Sequence, residues 1–73
     1  MINDRIEKLK DEIENTEQNI KDLQITISGL KEVKDQSRFE DKENINNLIE
    51  KFESEVDFLN DIKENDEKVL EGL

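Results

Sequence analysis

Carboxylates are the only groups in this chain numerous enough to suggest chemistry: 21 Asp and Glu stand against 11 Lys and Arg, with no His and no Cys. Two carboxylates at helical spacing, such as Asp61 and Glu64, could act as a general acid and base. In so acidic a chain, however, such pairs arise automatically. A catalytic carboxylate also needs a dry, concave pocket to raise its pKa, and two thin helices offer none. Nucleophilic catalysis lacks a His base, which leaves Ser28, Ser37 and Ser54 as inert hydroxyls. The nearest approach to a calcium loop, Asp41-Lys42-Glu43-Asn44-Ile45-Asn46, fails on chemistry. Ile45 stands where a ligand oxygen belongs, Asn46 replaces the turn glycine and Phe52 replaces the closing Glu. Gly29 and Gly72 are the only glycines, so no phosphate loop exists. The expectation is no enzyme site, no cofactor and no metal.

What the residues do dictate is helix pairing. Ile6, Ile13, Ile20 and Ile27 alternate at spacings of three and four with Leu9, Thr16, Leu23 and Leu30, and Ile2 precedes them. Four heptads in register, with Ile at a and Leu at d, are a coiled-coil signal; only Thr16 breaks the apolar seam. The second half repeats the pattern in a new frame: Ile45, Ile49, Phe52, Val56 and Leu59, then Leu70 and Leu73 after an interruption by Lys63 and Asp66. Leu48, Ile62 and Val69 add a stripe at the g positions, so this helix has the wider apolar face of a bundle helix. Phe58, at c, and Ile25, at f, point away from the seam.

The frame slips between the halves, at Lys34-Asp35-Gln36-Ser37. The spacing predicts helix 1 over about 3–34, a turn over about 34–37 and helix 2 over about 38–71, in a single helical-hairpin domain spanning 1–73. Asn3 is the expected N-cap of the first helix. Ser37-Arg38-Phe39-Glu40 reads as a capping box opening the second, and Gly72 is expected to end it in the left-handed conformation. A break at Gly29 is the alternative; the later break gives helices of similar length.

Charge chooses the topology. In a parallel dimer of long helices Arg5 would face Lys10 and Glu12 would face Glu17, both like-charged. A hairpin is expected to bring Arg5 near Asp66 and Glu67, Lys10 near Asp61 and Lys31 near Glu40. The fold class expected is therefore all-α, an antiparallel two-helix coiled-coil hairpin. A chain of 73 residues has little core, so burying the g stripe calls for a second hairpin, as a homodimeric four-helix bundle, or for a protein partner.

Function then rests on surfaces. Leu48, Phe58, Ile62 and Val69 are the candidate protein interface. The halves differ in charge, −2 for residues 1–34 and −8 for residues 35–73, and Glu53, Asp57, Glu64 and Glu67 form a candidate acidic surface. The reading is a small acidic adaptor, scaffold or regulator that binds a protein. The alternative is an inhibitor, or nucleic-acid mimic, whose acidic second helix fills a basic groove of a host protein. With −10 overall, direct binding to nucleic acid or an anionic membrane is disfavoured. No signal peptide or membrane span is visible, and an intracellular, cytoplasmic location is expected. The Ile-, Asn-, Lys- and Glu-rich composition, with no Ala, Trp or Tyr, fits an A+T-rich genome such as that of a low-GC bacterium or its phage.

The opening Met1-Ile2-Asn3-Asp4-Arg5-Ile6-Glu7-Lys8-Leu9 resembles the start of the small helical-hairpin phosphatases that act on sporulation response regulators. That family carries a Ser-Gln-Glu-Leu-Asp signature on its second helix, and no such run occurs here. The resemblance spans about one eighth of the chain and implies no activity for it.

Overall fold

The computed structural model describes residues 2–73, with side chains from residue 3 onward, so the Ile2 side chain of the expected seam lies outside it. Helix α1 runs over Ile2–Gln36 and helix α2 over Phe39–Glu71. They pack side by side as a rod of 56 × 14 × 12 Å. This is the all-α hairpin that the two phased heptads require.

The apolar frame is buried as its spacing dictates. Ile20, Ile27, Ile49 and Val56 form the core, with Leu23, Leu30, Ile45, Phe52 and Leu59 packed around them. Every described a and d residue of α1 from Ile6 to Leu30 is buried or half-buried. Thr16 joins them at 7% exposure, which is tolerable because its hydroxyl donates to the Glu12 carbonyl at 2.8 Å. A buried hydroxyl without a partner would cost about 1–3 kcal/mol.

The ends differ from the sequence expectations. The turn is Ser37–Arg38, because α1 continues two residues beyond 34. The expected capping box does not form. Arg38 is the N-cap, in extended geometry (φ −69°, ψ 156°) without a side-chain cap bond, while the Ser37 hydroxyl donates backwards to the Val33 carbonyl. Ser37 thus serves the end of α1 and leaves the start of α2 alone. Asn3 lies inside α1 and not at its cap. Gly72 closes α2 in right-handed geometry (φ −77°, ψ −9°), its N–H shared between the Lys68 and Val69 carbonyls at 3.2 Å. The left-handed cap expected there is absent because this three-centred bond already satisfies the carbonyls of the last turn. Gly29 sits in unbroken helix, with open space where a Cβ would go.

The expected ion pairs are also replaced. Arg5 with Asp66 or Glu67, Lys10 with Asp61, and Lys31 with Glu40 do not form among the described residues. Instead Lys63 meets Glu17 at 3.4 Å and Glu67 at 3.8 Å, and Lys34 donates to Asn46 at 3.0 Å. These contacts displace α2 by roughly nine residues against the charge-based pairing. Magnitudes explain the outcome: an exposed ion pair contributes about 0.2–1 kcal/mol, whereas burying one Ile or Leu contributes about 1.5–3 kcal/mol. The register that stacks Ile20–Leu30 on Ile49–Leu59 wins.

Candidate protein-interaction surface

A hairpin of two heptad helices has two flanks, one built from e and b positions and one from g and c positions. Their register follows from the contacts above. Glu17 and Asn46 are e residues, so the Lys63 and Lys34 contacts lie on the e/b flank. On the opposite flank the same register sets Val33 beside Leu48, Asn19 beside Ile62 and Glu12 beside Val69. A shallow groove lined by Asn19, Thr26, Glu55 and Leu59 runs between the helices there.

The two candidate surfaces fall on opposite flanks. Leu48 (45% exposed), Phe58 (62%) and Val69 (41%), with half-buried Ile62, all belong to the g/c flank. Val33, 54% exposed, completes that apolar flank from α1. Reading each helix alone misses it, since a single valine at g means nothing until α2 brings Leu48 alongside. Leu73, 49% exposed, follows the end of α2 at the open end. Two other exposed apolar residues, Ile25 (66%) and Phe39 (86%), stand elsewhere: Ile25 on the back of α1 at f, Phe39 on the e side of the turn.

Glu53, Asp57, Glu64 and Glu67 are exposed on the e/b flank. Charge divides along with them. The g/c flank carries Arg5, Lys8 and Lys51 against Glu12, Asp22, Asp41 and Glu55, a net −1, whereas the e/b flank holds three basic and eleven acidic residues, a net −8. Two helices of unequal charge have become one rod with a greasy, nearly neutral side and a strongly anionic side.

The seam between the flanks is not uniform. In the observed register Thr16 meets Lys63, one polar break facing another, whereas Asp66 meets the apolar Ile13. Lys63 is answered by its two carboxylates. Asp66 is not: its Oδ2 is buried and lacks a hydrogen-bond partner.

Among the described residues no cluster of His, Cys, Asp or Glu could hold a metal ion, and no helix is long and apolar enough to cross a membrane. No family model matches this chain, no curated protein is detectably similar in sequence, and no solved structure matches it.

Proposed function

We propose that the hairpin is a small acidic protein-interaction module, an adaptor, scaffold or regulator that docks its g/c flank on a protein surface. The observation carrying this reading is the segregation just described: exposed Leu48, Phe58, Val69 and Val33, with half-buried Ile62, share one flank that is nearly free of net charge. Contiguous apolar patches rimmed by polar residues mark interaction sites, and aromatic residues such as Phe58 are enriched among binding hot spots. The test compares the proteins retained from the native host by the immobilised chain and by Leu48→Lys/Val69→Lys. Loss of specific partners in the variant supports the reading; an identical retained set removes it.

A second reading draws on the other flank. Glu53, Asp57, Glu64 and Glu67 line up on a surface of net −8, the charge pattern of an inhibitor that occupies a basic groove in place of nucleic acid. It predicts binding that weakens with salt and is lost when these four residues are changed to Lys. Binding indifferent to both changes eliminates it.

A further inference from the structure

We propose that the occupant of the g/c flank is a second copy of this chain, laid antiparallel so that each α2 packs along the other α2. The inference rests on reading that flank as a protein-docking surface, and three observations point to the second copy.

The first is area. The hairpin exposes 5954 Å², whereas a compact monomer of its 8.6 kDa mass would expose about 4,700 Å². The excess of about 1,250 Å² exceeds the roughly 800 Å² per partner that a stable interface covers. The second is charge. Each copy carries −10, so two copies repel unless they meet through a nearly neutral surface. The g/c flank, at −1, is that surface, and the anionic flanks then face outward on opposite sides.

The third is the symmetry of the stripe. Phe58 and Ile62 stand at its centre. Leu48 lies ten residues to one side of Phe58 and Val69 seven residues to the other side of Ile62. Turned end for end about Asn60, the centre of the stripe superposes on itself: Phe58 and Ile62 meet Ile62 and Phe58 of the second copy, Leu48 falls opposite Gly72 within one turn of Val69, and Lys51 falls opposite Val69. A self-complementary patch of this kind is what a two-fold interface requires. The parallel alternative sets α2 on α1 of the second copy at equal height. Ile62 would then cover Asn19, Val69 would cover Glu12 and Phe58 would cover Asp22, burying polar and charged groups under apolar ones.

Because the chain has no cysteine, spin labels can be placed singly at Asn44→Cys and Asn65→Cys on the full chain. About a two-fold axis near Asn60, a helical rise of 1.5 Å per residue puts the labels roughly 50 Å apart along the rod at position 44 and roughly 15 Å apart at position 65. Sedimentation should give a dimer at high micromolar concentration, with that pair of distances from pulsed electron resonance. Phe58→Lys, an exposed site outside the core, should raise the dimer dissociation constant about a hundredfold while helical circular dichroism persists. A dimer with short distances at both positions, or one indifferent to Phe58→Lys, overturns the proposal. So does a strict monomer; if Leu48→Lys/Val69→Lys still alters capture of another protein, the docking reading survives that failure.

Discussion

The turn-side half of the hairpin and its open-end half are built from the same heptads, yet only the first is a core. In the four layers from Leu30 and Ile49 to Ile20 and Leu59 both helices are apolar, and the four buried hydrophobic residues among those described lie there. Towards the termini, α1 keeps its seam of Ile13, Leu9 and Ile6, but α2 presents Lys63 and Asp66 before the apolar pattern resumes at Leu70. None of those open-end apolar residues is more than half-buried. The difference teaches that a heptad on one helix secures nothing until its partner answers it layer by layer. The polar layers in turn bear on the pairing, since sliding α2 one heptad towards the turn would bury Lys63 against Leu23 and Asp66 against Ile20.

The largest effect expected from this contrast is on core truncation. Ile49→Ala, at 4% exposure, should destabilise the hairpin by about 2–5 kcal/mol, whereas Ile6→Ala should cost less than half as much. Thermal melts followed by circular dichroism measure both, and equal losses would erase the distinction between the halves. Next in size, Asp66→Leu replaces a buried, unpartnered carboxylate oxygen by an apolar d residue facing Ile13. It should stabilise by about 1–3 kcal/mol and raise amide-exchange protection in the open half most. A neutral or destabilising result would mean that Asp66 is answered in solution. Smallest is Gly29→Ala, on the solvent side of the turn half with nothing in the way of the new methyl group. It should add about 1 kcal/mol, read as a melting shift of about 4–8 °C. A loss of stability would show that this stretch of α1 needs glycine.

Much of this architecture was legible in the residues. Both heptad frames, the interruption at Lys63 and Asp66 and the location of the reversal to within a few residues follow from apolar spacing, which reports burial directly. The helix ends were less legible, because Ser, Asn and Gly offer bonds to either side and only the three-dimensional path decides which is used. Ser37 turned backwards for this reason. Register was misjudged because ion pairs were weighed without the apolar layers that outrank them. The surface was half legible: Leu48, Phe58, Ile62 and Val69 could be named as a stripe, and the acidic four as another. That the two stripes occupy opposite flanks, and that Val33 belongs to the first, became visible only once the helices were set in register.

The chain reverses direction at Arg38, whose φ of −69° is already that of a helix; only its ψ of 156° is not. Straightening the two-residue corner Ser37–Arg38 would turn this hairpin into a single uninterrupted rod about 105 Å long. No left-handed residue or proline stands at the corner to forbid the change. Two straightened chains lying head to tail could rebuild every layer by exchanging their second helices, and small-angle scattering would distinguish that swapped pair from docked hairpins by length alone.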